Sequence, residues 1–111
     1  FEDIGFGQQT TLYDKIGGLV IDSADIRADP EGMLCKLCEA IDLPFDPAML
    51  SWPAGARPED GIWASHWYGA VHKSTGFAGA EGPLLKLSEA DQPLLGQALP
   101  YYKTLYNQRI I

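Results

Sequence analysis

Apolar residues recur at three- and four-residue spacing in several separate stretches of the chain. The clearest is Met33, Leu34, Leu37, Cys38 and Ile41, which follows Asp29-Pro30 and stops before Leu43-Pro44. An aspartate accepts from free first-turn amides and a proline is tolerated at the first helical position, so this pattern predicts a helix over 30–41. Leu12 and Ile16, four apart, predict a shorter helix over 8–16 that Gly17-Gly18 closes. Asp46-Pro47 repeats the cap-then-proline arrangement and predicts one short turn through Leu50. Ser88 or Asp91 opens a helix through Leu94, Leu95 and Ala98, with Pro93 favouring the later start. Pro100 is expected to interrupt or kink it before a second apolar face of Tyr101, Tyr102, Leu105 and Tyr106. Leu19-Val20-Ile21 differs: a continuous apolar run between two glycines and Asp22-Ser23 reads as a fully buried strand, most often found in a parallel sheet.

Residues 46–77 hold all three tryptophans, both histidines and three of the eight prolines. Pro47, Pro53 and Pro58 fix φ and remove backbone donors, while Gly55 and Gly61 permit angles other residues resist, so a shaped loop is expected before Ile62. In 62–73, Trp63, Trp67 and Val71 stand one helical turn apart and predict a helix whose aromatic face lies beneath that loop. Glu59 and Asp60 are expected to cap it, since a helix N-terminus favours negative charge. Two readings of the loop stand side by side: the aromatic plug of a small core, or a ligand-covering lid carrying Arg57, His66 and Lys73. Beyond it, Gly76, Gly79 and Gly82 mark a flexible connection, which lacks the preceding strand and the spacing of a phosphate-binding loop.

With 111 residues, 46% of them hydrophobic and 21% charged, the composition is that of a single domain over 1–111. A net charge of −7, from 15 acidic and 8 basic residues, excludes sequence-independent nucleic-acid binding, which relies on neutralising phosphates. Arg57, His66, His72 and Lys73 nonetheless cluster between positions 57 and 73, enough for a local anion site. No run reaches the roughly 18 apolar residues of a membrane span, and no signal peptide is evident, so no membrane role is expected. Two cysteines and no leader fit a reducing, cytoplasmic setting.

Cys35-x-x-Cys38, with His66 and His72, supplies residue types that bind zinc. Both cysteines fall inside the predicted helix, away from any helix N-terminus that would lower a thiol pKa, so packed thiols are the expectation and no metal is assigned. A zinc-stabilised domain remains a further alternative. Adjacent Glu59 and Asp60 do not define an acid and base across a cleft.

Residues 20–31, VIDSADIRADPE, and the helix running to Leu43-Pro44-Phe45 resemble the strand, acidic turn and helix of sulfotransferase-family proteins of the P-loop superfamily. Met49-Leu50-Ser51-Trp52-Pro53-Ala54-Gly55, Pro58-Glu59-Asp60-Gly61, Trp63-Ala64, His66-Trp67-Tyr68, Ser74-Thr75-Gly76-Phe77 and Leu99-Pro100-Tyr101-Tyr102 resemble a bacterial subgroup of that family. The resemblance implies an α/β fold that transfers a sulfuryl group from 3′-phosphoadenosine 5′-phosphosulfate to a hydroxyl or amine. It reaches only the family's C-terminal portion, since the Gly-rich phosphate loop and the general base belong to an N-terminal half without counterpart here. The expected architecture is therefore an α/β fragment, mostly helical, with one or two short strands. By the same resemblance Arg57 would contact phosphate, Gly61 would allow backbone approach and Trp63 would pack under the loop; His66 and Lys73 are candidates from the lid reading of the loop alone. The family's consecutive Arg-Lys-Gly is interrupted here by Pro58-Glu59-Asp60. No catalytic residue is assigned, and the chain alone is not expected to catalyse. It is expected to form a homo-oligomer or to pair with the missing N-terminal half. The alternative is a small non-enzymatic binding module that uses the aromatic loop 46–77.

Overall fold

Side-chain caps mark some of the helix starts and not others. In the computed structural model, which describes residues 4–111, α1 spans Phe6–Ile16, α2 Ser23–Ala28, α3 Pro30–Ala40, α4 Ala64–Trp67, α5 Gly69–Lys73 and α6 Gln92–Tyr106. Single 3₁₀ turns occupy Pro47–Leu50 and Pro58–Asp60. Asp29 Oδ1 accepts from Gly32 N at 3.0 Å and Asp46 Oδ1 from Ala48 N at 2.9 Å, so both Asp-Pro starts form as the sequence implies. Gly17, at φ 65°, ends α1 with its amide on Tyr13 O at 2.7 Å. In that left-handed region a side chain would be strained.

Elsewhere the structure departs from the sequence pattern. The acidic turn after Ile21 is the helix α2, capped by Asp22 Oδ1 on Ala24 N at 2.7 Å. The run 62–73 divides at Tyr68 into α4 and α5, with Gly69, a poor helix former, at the junction. Pro100 neither ends α6 nor separates two helices. The amide it lacks would have met the carbonyl of Gly96, an exposed residue whose oxygen water can satisfy.

The strand expected at 19–21 is not built. Val20 makes a single parallel bridge to Arg109, where Ile110 N donates to Val20 O at 3.0 Å, and Ser51 makes a single antiparallel bridge to Gly76. Among the described residues there is no further β pairing. A buried strand needs hydrogen-bonded neighbours and covered faces, and Leu19 instead lies 49% exposed. The helical part of the expected architecture thus holds, while the sheet is reduced to these bridges.

Helix α1 packs against α6, α2 against α3, and α3 against the turn Pro47–Leu50. Met33 and Cys38 of α3, Ala64, Ala98 and Thr10 are buried, yet among the described residues no large side chain is fully enclosed. The accessible surface is 8714 Å² for a 12.1 kDa chain, where a self-contained domain of that mass exposes about 6,000 Å². The radius of gyration, 16.8 Å, likewise exceeds the value of about 13 Å for a compact chain of this length. Whole apolar faces are consequently left open, among them Leu12, Ile16 and Leu19 on one side and Leu84 and Leu85 on another. Polar links hold the open arrangement together. Arg109 Nε donates to Asp25 Oδ2 at 2.7 Å and its guanidinium lies 3.6 Å from the centre of the Tyr106 ring. Arg27 reaches Gly79 O at 2.9 Å and Glu81 at 3.2 Å, fixing the glycine-rich connection to α2.

Candidate functional site

The loop between Ser51 and Gly61 folds back on α5 and the segment after it. Trp52 starts the closure: its backbone N donates to Thr75 O at 3.0 Å and its indole Nε1 to Ser74 Oγ at 2.9 Å. Ser74 Oγ in turn donates to Val71 O at 2.6 Å, and the Trp52 ring meets Phe77 edge-on with centroids 5.5 Å apart. Gly76 admits this approach, because a Cβ there would stand 3.2 Å from Leu50 O. Gly55, at φ 130°, then turns its amide onto His72 O at 2.8 Å.

Pro58–Asp60 closes on itself. Asp60 N donates to Arg57 O at 3.1 Å, while Arg57 N donates back to Asp60 Oδ2 at 2.8 Å. The same carboxylate oxygen accepts from His72 Nε2 at 2.9 Å. These bonds, first that from the Arg57 amide and then that from His72, hold the Asp60 carboxyl below its ordinary 3.8. Gly61 leaves the turn at φ 73°, the left-handed region. Trp52, Pro53, Gly55, Arg57, Asp60, Val71 and His72 together line a cleft of about 190 Å³. Among the described residues the Arg57 guanidinium enters no ion pair.

Of the five residues assigned to ligand binding from the sequence, Arg57, Gly61, Trp63, His66 and Lys73, only Arg57 lines this cleft, together with His72 of the cationic cluster. Trp63 does not pack under the loop: it is 65% exposed, because the loop docks on α5 and residues 74–77 rather than on α4. Trp67 is 74% exposed for the same reason, so the expected aromatic face is open to solvent. The tryptophan that packs is Trp52. His66 and Lys73 are exposed outside the cleft, and the histidine inside it is His72. Asp60 does not cap α4, which has no side-chain cap; its carboxylate is committed to Arg57 and His72. Cys35 is exposed and Cys38 buried on α3. Among the described residues no three His, Cys, Asp or Glu side chains converge as a metal site, and no helix is long and apolar enough to cross a membrane.

The family model described as Sulfotransferase domain matches residues 1–109. The chain belongs to that family. It is also 36% identical over 110 residues to branched-chain-amino-acid aminotransferase-like protein 2 of Arabidopsis thaliana, and equally to protein 1 of the same name. Each match takes 95% of this chain and 20% of the relative, so the chain spans a small part of those proteins. No solved structure matches it. For a sulfotransferase-domain chain the question is what the cleft accommodates. At about 190 Å³ it lies below the roughly 300–1,000 Å³ of sites that enclose a small molecule. Asp60, an acidic residue, also lines it. The described residues therefore do not fit a whole adenosine bisphosphate; the free Arg57 guanidinium fits one anionic end of a ligand.

Proposed function

We propose that this sulfotransferase-domain chain serves sulfuryl transfer from 3′-phosphoadenosine 5′-phosphosulfate to a hydroxyl or amine, as the C-terminal part of a larger P-loop fold. The supporting observation is the unpaired Arg57 guanidinium on a loop pinned to α5. When bound, the donor supplies the activated sulfuryl group. The chain's share is recognition. Arg57 pairs with oxygens of the 3′-phosphate, Gly61 presents backbone without a Cβ, and Trp52, Ser74 and Phe77 keep the loop seated. His66 and Lys73 add positive charge from the solvent side, and Trp63 offers its ring from outside the loop. A second part of the fold provides the catalytic groups, and the described residues alone do not catalyse.

The same reading gives the open apolar faces an occupant: the rest of the sulfotransferase fold or a second copy of the chain. Sedimentation of the isolated chain at micromolar concentration should show self-association, and a clean monomer would count against it. The second reading, a binding module without transfer chemistry, draws on the exposed Ile62, Trp63 and Trp67, a surface suited to a protein partner.

Calorimetric titration with 3′-phosphoadenosine 5′-phosphate separates the two. Saturable binding that weakens by roughly tenfold or more in Arg57→Ala is expected, the scale of one charge-assisted pair. Absence of heat with the unsubstituted chain overturns the nucleotide reading in favour of the module.

A further inference from the structure

The segment that carries Arg57 is held from both sides by one residue of α5. His72 Nε2 donates to Asp60 Oδ2 at 2.9 Å, and that oxygen takes the Arg57 amide at 2.8 Å. On the other side of Arg57, the His72 carbonyl takes the Gly55 amide at 2.8 Å. A carboxylate only accepts, so Nε2 carries the proton and the histidine acts as a donor. His72 and Asp60 are 22% and 23% exposed, partly shielded from water and salt, so their bond is worth more than one on open surface.

The bond also restrains a competitor. Asp60 and Arg57 line the same cleft. A carboxylate free to rotate there would pair with the guanidinium and displace an incoming anion, since carboxylate and phosphate oxygens use the same donors. With Asp60 tied to His72 and to the Arg57 backbone, the guanidinium forms no ion pair among the described residues, although its charge still acts on Asp60 at longer range.

We infer that His72, acting through Asp60, is a positioning residue that keeps the Arg57 side chain available to an anionic ligand. The inference rests on the reading of Arg57 as the residue that holds the phosphate end. His72 touches no ligand in this scheme; it sets the backbone of the loop and occupies the Asp60 carboxylate.

The test uses the 111-residue chain with His72→Ala, His72→Gln and Arg57→Ala, and two readouts. One is affinity for 3′-phosphoadenosine 5′-phosphate by calorimetry; the other is hydrogen exchange at the Arg57 amide without ligand. Loss of the donor in His72→Ala should weaken binding roughly tenfold and speed exchange at Arg57. His72→Gln presents an Nε2–H in the same place and should restore both to within about threefold. If Arg57→Ala loses binding while His72→Ala keeps it, the inference fails and the phosphate reading stands. Should Arg57→Ala bind like the parent, or the parent not bind, the phosphate reading fails, and the positioning role fails with it. Exchange at Arg57 then decides only whether His72 holds the loop. A glutamine variant as impaired as the alanine one also overturns the inference, because packing rather than the donated bond would then explain the effect. Thermal melts of each variant separate unfolding from loss of affinity.

Discussion

The Tyr102 hydroxyl donates to Asp22 Oδ2 at 2.6 Å, joining the second half of α6 to the residue that caps α2. One carboxylate thus serves two elements, with Oδ1 on the Ala24 amide and Oδ2 on the phenol. The donated bond, followed by burial, pushes the Tyr102 hydroxyl up to about 12 from its ordinary 10.0. A raised value means that the bond stabilises the fold fully below pH 10.0 and is lost as pH rises through about 12. Ultraviolet titration after a rapid pH jump should show one late-titrating tyrosine among the five, absent from Tyr102→Phe. Tyr102 is 41% exposed, so solvent screening keeps the effect small. The phenylalanine variant should lose about 0.5–1 kcal/mol of stability. Tyrosines that all titrate together near their ordinary value would remove this link.

Gly32 in the first turn of α3 is present for the sake of its neighbour. Its amide donates to Asp29 Oδ1 at 3.0 Å, and a Cβ built on it would collide with the Asp29 carboxylate. An alanine inside a helix ordinarily gains about 1 kcal/mol over glycine. Here the substitution should displace the cap, worth about 1 kcal/mol, and leave stability unchanged or lower. In an Asp29→Ala background the cap is already gone, and Gly32→Ala should then stabilise. A double-mutant cycle by denaturant unfolding reads the coupling, and additive effects would show that the two residues act separately.

The parts that sequence pattern reaches are those built from local chemistry. The faces of α3 and both Asp-Pro turns follow from residues within a few positions of one another, and all three form where the pattern puts them. Helix α2 escapes notice because Ser23–Ala28 is short and mixes Asp25 and Arg27 with small residues, giving no apolar period. The apolar run at 19–21 does carry the composition of a strand. What it lacks is partners, a property of the surroundings that the run itself does not encode.

The cleft was legible only in part, for a related reason. Pro53, Gly55, Pro58 and Gly61 mark the loop, and Arg57 lies within it, but the surface on which it docks is decided by long-range pairing. Trp52 and Ser74 are 22 positions apart and Asp60 and His72 are 12 apart, spacings with no periodic signature. The expectation that Trp63 packs under the loop assumes a continuous helix over 62–73 as well as the family's loop arrangement, and as an anion ligand His72 enters the sequence reading only as part of the cationic cluster at 57–73. The break at Tyr68 removes the continuous helix.

Acid should release the Arg57 loop at one identifiable group. Asp60 accepts from the Arg57 amide and from His72, and both bonds favour its charged form, so its folded pKa lies below the ordinary 3.8. A lowered value means that the stabilisation is present above 3.8 and is lost as pH falls through the folded value. Carboxyl-carbon resonance titration should therefore find Asp60 among the last acids to protonate. Protection of the Arg57 amide should fall over that same pH interval, after correction for intrinsic exchange. Asp60→Asn keeps an acceptor oxygen but cannot titrate, so its protection should be lower at neutral pH and flat through the acid range. Because the site is partly exposed, raising ionic strength should move the Asp60 midpoint back toward its ordinary value. A midpoint at or above 3.8 would show that neither bond persists in solution, and would leave the loop held only by Trp52 and by the Gly55–His72 pairing.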